Sequence, residues 1–242
     1  MIGYSPRNIA AGLLVCAIAI FITAPASAED PDNLAVILKL KGMVEHQARA
    51  SEGWLAARQG QVLDSGDKLR TGRDGEAALL FVDDRSLLKL AAETEVTFRA
   101  EKNGPALDKR IWMGAGDIWA KVTGADRPHF EVETPTSVAS VKGSEFYCRE
   151  MPGSGNTFFA LSGQYRYANE HGAVDLGPNM TGRSDGLAAP TSRKTDPGEL
   201  PDFGGLPGYG VEEDEGRRRI RIEFENEEGE GRTLVIPLDP GE

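Results

Sequence analysis

In the stretch FEVETPTSVASVKGSEFYC, residues 130–148, Lys142, Gly143, Ser144 and Cys148 fall within seven positions. Three roles fit such a set: a phosphate loop, a thiol nucleophile beside a cation, or plain sheet architecture. A phosphate loop needs several glycines whose amides turn inward, then Lys-Ser/Thr at the start of a helix. Here a single glycine, Gly143, lies between strand-like SVASV and EFYC, so a nucleotide site is not expected. A thiolate nucleophile needs a basic, partly exposed setting with a histidine close by. Cys148 instead shares a strand face with Phe146, and the expectation is a buried small apolar residue.

The other chemically capable residues are similarly dispersed. His46, His129 and His171 lie in unrelated polar segments with no HExxH, no paired cysteines and no His-x-His spacing, so no metal site is expected. His129 and Glu131 share one side of a strand, which supplies two ligands at most. Asp83-Asp84 and Glu131/Glu133 have the spacing of acid–base pairs, but in an acidic chain turns and solvent-facing positions produce such pairs by chance. Ser140, Ser144 and Ser162 lack a Gly-x-Ser-x-Gly setting. No catalytic residue, cofactor site or metal site is therefore assigned. Among the aromatics, Trp54, Trp112, Trp119, Tyr147, Tyr165 and Tyr167 lie in or beside predicted strands. Trp119 is out of phase with Ile118, Ala120 and Val122, while Tyr165 and Tyr167 form a same-face pair whose expected place is a core between sheets.

These residues must be positioned by strands. From Leu34 to about Gly182 short apolar alternations are broken by glycine roughly every 8–12 residues, the pattern of an all-β domain. Val96 and Phe98 alternate with polar neighbours, as do Phe130 and Val132, at the period of two that a half-buried strand requires. Apolar runs at 77–82 and 87–92 flank Asp83-Asp84 and predict a buried hairpin with an acidic turn. The echo between VLDSGDKLRTG and VDLGPNMTG is compatible with stacked antiparallel hairpins, forming a twisted sandwich or a solenoid-like body.

The ends of the chain differ from this body. Arg7, an apolar run from Ile9 to Ile22 and the tripeptide Ala26-Ser27-Ala28 have the order of a secretory signal peptide, residues 1–28, with cleavage expected between Ala28 and Glu29. Val15 before Cys16 is too bulky for a lipoprotein signal. With Cys148 the only cysteine past that point, no internal disulfide can form. Residues 183–216 hold eleven Gly or Pro and an acidic cluster at Glu212–Glu215, the composition of a linker. Residues 217–242 then read as a β-hairpin, with Ile220, Ile222 and Phe224 alternating on one strand and Leu234, Ile236 and Leu238 on the other. A lone hairpin is marginal in water, so docking onto the main domain is expected.

The net charge of −11 repels phosphate backbones and anionic lipid, which argues against nucleic-acid and membrane-surface partners. A periplasmic or secreted product without stable membrane insertion follows from the signal.

Taken in order, Gly66, Asp67, Thr71 and Gly72, then Gly116 and Ile118, then Thr134, Pro135, Val141, Lys142, Gly143, Ser144 and Phe146 resemble the FecR domain, over about residues 42–182. Ser144 stands where threonine is commoner, and Met113 replaces a leucine. The resemblance implies a β-rich extracytoplasmic domain in which Thr134-Pro135 opens a strand and Gly143 permits a bulge. Founding members of the family are transmembrane regulators that take a signal from an outer-membrane receptor and control a sigma factor. Only eight residues precede the apolar run here, and the region after 182 does not resemble the receptor-contacting domain, so a free-standing FecR-domain protein is expected. Its expected function is a non-enzymatic binding or scaffold module in envelope signalling or transport, with an envelope protein or glycan as partner. The alternatives are an accessory regulator of a transmembrane partner and a carboxylate-dependent glycan-acting enzyme.

Overall fold

The described residues of the computed structural model are 33–103, 106–123, 130–201, 210–214, 217–225 and 231–238. The signal segment, His129 and the turn at 226–230 lie outside them. The first strands are β1 (Ala35–Lys41), β2 (Val44–Gln47), β3 (Leu55–Ala56), β4 (Val62–Leu63), β5 (Lys68–Thr71), β6 (Glu76–Phe81), β7 (Leu87–Leu90) and β8 (Glu95–Asn103). Next come β9 (Ala106–Lys121), β10 (Phe130–Glu133), β11 (Val138–Met151), β12 (Gly155–Asn169), β13 (Gly172–Leu176), β14 (Met180–Ser184) and β15 (Thr191–Lys194). All fifteen join one sheet whose main path is β15-β14-β12-β11-β10-β9-β7-β6-β1-β4. The fold is all-β and the sheet is mixed: β10 runs parallel to β9, which a pure stack of antiparallel hairpins does not include.

Three long strands let one sheet serve a single core. In β9 the buried positions are Lys109, Ile111 and Met113, then Ile118 and Ala120; the parity changes between them. The same change separates Ala139 and Val141 from Phe146 and Cys148 in β11, and Phe158 and Ala160 from Tyr165 and Tyr167 in β12. Each switch needs an extra residue, since side chains in a strand alternate strictly. The pairing shifts register between Lys142 and Glu145 around Gly143, as expected for a bulge. Gly116 (φ 98°) and Gly163 (φ 83°) serve the other two strands in left-handed backbone that an L side chain adopts only with strain. A Cβ on Gly163 would also lie 1.9 Å from Ser144 Oγ, and one on Gly116 2.3 Å from Thr94 Oγ1.

The core that results is a string of aromatic rings. Phe81 meets Phe130 edge-on at 5.5 Å, Phe146 stacks on Phe158 at 4.8 Å, and Phe158 contacts Tyr165 at 5.0 Å. Aromatic pairs in these geometries add to the apolar area they bury. Leu, Ile and Val from β1, β6, β7 and β8 complete the same cluster. The hairpin expected around Asp83-Asp84 is β6–β7, with Ala77 opposite Leu90 and Leu80 opposite Leu87.

Two sequence readings need correction. Thr134-Pro135 does not open a strand; it forms the turn between β10 and β11, where Thr134 Oγ1 accepts the Ser137 amide at 3.1 Å. Proline suits a turn because it donates no ladder hydrogen bond. The sheet also runs on past 182 into the stretch read as linker: β14 ends at Ser184, β15 pairs with it from Thr191 to Lys194, and a 3-10 turn spans Pro197–Glu199. Gly and Pro there serve connections around one short edge strand, which composition alone does not distinguish from a linker. Further on, β17 (Arg217–Glu225) and β18 (Gly231–Leu238) pair antiparallel, Ile220 opposite Ile236 and Ile222 opposite Leu234. A third strand, β16 (Gly210–Asp214), adds to β17 with Glu212 opposite Arg219 and Glu213 opposite Arg218.

Candidate functional site

Lys142 and Cys148 do not converge. Lys142 is exposed, whereas Cys148 is 1% exposed beside Phe146. Burial pushes the Cys148 thiol up to about 12, against a hydrogen bond from Asn156 Nδ2 at 3.1 Å that pulls it down. A thiol held protonated is no nucleophile at neutral pH. Ser144 is buried and donates to the Lys142 carbonyl at 2.8 Å.

The carboxylate pairs are occupied by cations. Asp83 and Asp84 close on Lys109 Nζ at 2.8 and 2.5 Å, and the Lys109 side chain is fully buried over Phe81. Burial alone would push the Asp84 carboxyl up; the Lys109 ammonium and the Ser86 amide and hydroxyl together outweigh it and hold the pKa below the usual carboxylate range. Arg110 Nε lies 3.3 Å from Glu131 and 2.8 Å from Glu133, and Glu131 accepts from Ser140 Oγ at 2.9 Å. His46 is fixed between Asp67 at 2.8 Å and Gln61 at 2.7 Å, while His171 is half exposed beside Glu170. Among the described residues no three His, Cys, Asp or Glu gather as a metal site.

Aromatic positions divide by strand face. Tyr165 and Tyr167 are buried together as expected, Tyr165 Oη within 2.7 Å of the Glu145 carbonyl and Tyr167 Oη donating to Asn156 Oδ1 at 2.9 Å. Trp119 faces the opposite side from Ile118, donating Nε1–H to Glu145 at 3.0 Å beneath the Lys89 ammonium at 5.0 Å. Trp54 is similarly covered by Arg70.

The residues that could receive a ligand are ones sequence reasoning missed. On the outer face of β11, β12, β14 and β15 the cross-strand register sets Arg149 opposite Thr157, Thr157 opposite Arg183 and Arg183 opposite Thr191. The next row sets Phe159 opposite Thr181 and Thr181 opposite Arg193. These two rows form the floor of a cleft of about 750 Å³, with Leu200 and Pro201 as its far wall. Arg149 is held by Asp117 at 2.6 Å and Arg193 by Glu199. Arg183 is exposed and makes no ion pair among the described residues, although Asp185 feels its charge. The sequence signal was available in principle: three arginines occupy outward phases of neighbouring strands, but seeing this requires knowing where β11 and β12 change parity.

Most of the residues quoted for the FecR resemblance have structural work, the exposed Lys142 side chain excepted. Asp67 accepts the Arg49 amide at 2.9 Å and the Asp64 amide at 3.1 Å, stapling the turn before β5. Thr71 Oγ1 donates to the Ala91 carbonyl at 2.6 Å and accepts the Thr94 amide at 2.9 Å. Phe146 sits at the centre of the aromatic string. A protein-family model matches residues 67–163, from that staple to the glycine of β12. That model describes the FecR protein family, to which this stretch of the chain is similar. The FecR match ends before β13, so the cleft straddles its limit: Arg149 and Phe159 lie inside, Arg183 and Arg193 beyond.

No curated protein matches the chain. Similar solved structures include two of a candidate anti-sigma factor from Parabacteroides distasonis ATCC 8503. One is 14% identical with TM-score 0.46, the other 15% identical with TM-score 0.45. In each the match covers 53% of this chain and 60% of that one, so the chain spans less than two thirds of those structures. No helix among the described residues is long and apolar enough to cross a membrane.

Proposed function

We propose that this chain is a non-enzymatic binding module of a FecR type, exported to the periplasm or secreted, that contacts a partner in an envelope signalling or transport system. One observation carries the reading: the residues behind the FecR match make turns, bulges and core, and the residue types that could do chemistry are apart, buried or neutralised. A solvent-open face lined by three arginines is suited to holding a partner. Export rests on the order of residues 1–28.

The test is affinity capture from bacterial envelope extract on the immobilised full chain, read by mass spectrometry. Enrichment of a receptor, sensor kinase or secretion component is expected. Retention of cell-wall sugar alone would replace the protein-binding reading with glycan recognition. Turnover of a glycan, lost on substituting Glu131 or Glu133 by alanine, would overturn the non-enzymatic reading.

A further inference from the structure

The cleft of β11, β12, β14 and β15 reverses the charge of the chain around it. Three arginines and one glutamate line it in a protein of net charge −11. Basic residues on a sheet edge often serve only to repel other edges. That accounts for Arg193 and Lys194 on β15, the last strand of the sheet path. It does not account for Arg149 and Arg183, which stand on strands already paired on both sides.

The chain itself shows what the cleft accepts. Glu199 reaches Arg193 from the 3-10 turn, whose Asp196 accepts the Gly198 amide at 3.0 Å, and both partners of the ion pair stay about half exposed. A carboxylate presented from above is thus already the ligand of one arginine, in a place where another carboxylate could replace it.

We propose that the cleft takes an extended acidic segment of a partner protein, with carboxylates at alternate positions meeting Arg183 and Arg193. This deepens the binding-module reading, on which it rests, by naming the partner's chemistry. Arg183 and Arg193 are diagonal neighbours on paired strands, Arg183 facing Thr191, which sets them roughly 7–8 Å apart with their Cβ atoms somewhat closer. Side chains two positions apart in an extended peptide are spaced about 6.5–7 Å, so Glu-x-Glu matches that pair. The edge of β15 offers backbone groups for strand addition, while Leu200 and Pro201 face the intervening side chains. A sugar is the poorer fit, because Phe159, the aromatic ring of the floor, is 2% exposed and presents no face for stacking.

The test is titration of the full chain with the labelled peptide acetyl-Thr-Glu-Val-Glu-Thr-Glu-Val-amide, its glutamine counterpart, inorganic phosphate and polygalacturonate. The glutamate peptide is expected to bind, more weakly as salt rises, and the glutamine peptide is not. Arg183→Glu and Arg193→Glu should each weaken binding about tenfold or more, and Glu199→Gln should tighten it a few-fold by freeing Arg193. Lys142→Glu, the same charge change at an exposed position outside the cleft, should leave affinity unaltered, and near-UV circular dichroism establishes that each variant is folded. Equal binding by wild type and the folded Arg183→Glu protein overturns the proposal, as does binding of polygalacturonate or phosphate without the peptide. If an envelope protein is captured equally well by Arg183→Glu, the cleft assignment falls and the binding-module reading stands; if wild type captures none, that reading itself falls.

Discussion

Lys109 and Glu150 are the buried charges around which the residue-scale account turns. Lys109 is fully buried with Asp83 and Asp84 as its counter-ions, and removing one partner of such a group leaves the others uncompensated. Lys109→Met is expected to cost about 3 kcal/mol in urea unfolding, near the low end of the range because both aspartates keep some contact with water. Adding Asp83→Asn and Asp84→Asn should recover much of that loss, since the neutral amides leave no uncompensated charge against the buried position. Glu150 is 2% exposed and its Oε2 has no hydrogen-bond partner. Burial raises its pKa, with the Thr134 hydroxyl, the Asn156 amide and the Thr136 hydroxyl pulling it back. An acid whose folded pKa is raised binds its proton more tightly when folded. It therefore favours folding at low pH, and this contribution is lost as pH rises from the ordinary glutamate value through the raised one. Glu150→Gln should then raise the melting temperature by roughly 2–4 °C at pH 7.5, with the gain shrinking towards pH 4. A gain of equal size at both pH values would show that ionisation is not its cause.

At the scale of elements, the three bulged strands decide the fold. Gly163 allows β12 to change the face it buries, and its missing Cβ leaves room for Ser144 of β11. Gly163→Ala should cost at least about 2 kcal/mol, left-handed backbone and overpacking acting together, and urea unfolding measures it. A change near zero would mean that the β11–β12 crossing is looser than the geometry requires. The same feature marks how far the sequence could be read. Dense apolar runs located β6 and β7, and period-two alternation located β8, β10 and the second halves of β9 and β11, because each of those keeps one parity. It could not join those halves into single strands, since a bulge inverts the pattern at a glycine that looks like a turn. The parallel β9–β10 pair is non-local and β15 is exposed along its whole length, so neither leaves a periodic trace. Lys109 was invisible for a related reason: its counter-ions lie in a turn 25 residues away in sequence.

Across the whole molecule, the two faces of the large sheet differ in what they hold. Its inner face holds the aromatic string and Cys148, and Ile118, Val141 and Phe146 from the stretch similar to FecR lie on it. Its outer face at the β11–β15 end gathers arginines that the sequence showed only as scattered positive charges in an acidic chain. The burial of Cys148 on the face of Phe146 was legible from strand parity; the cleft was not, because it depends on register across four strands. Hydrogen–deuterium exchange of the full chain, with and without the alternating glutamate peptide at saturation, tests this division directly. Added protection is predicted in β14, β15 and residues 196–201, with β1 to β7 unchanged. Protection centred on β1 to β7, or none anywhere at saturating peptide, would contradict it.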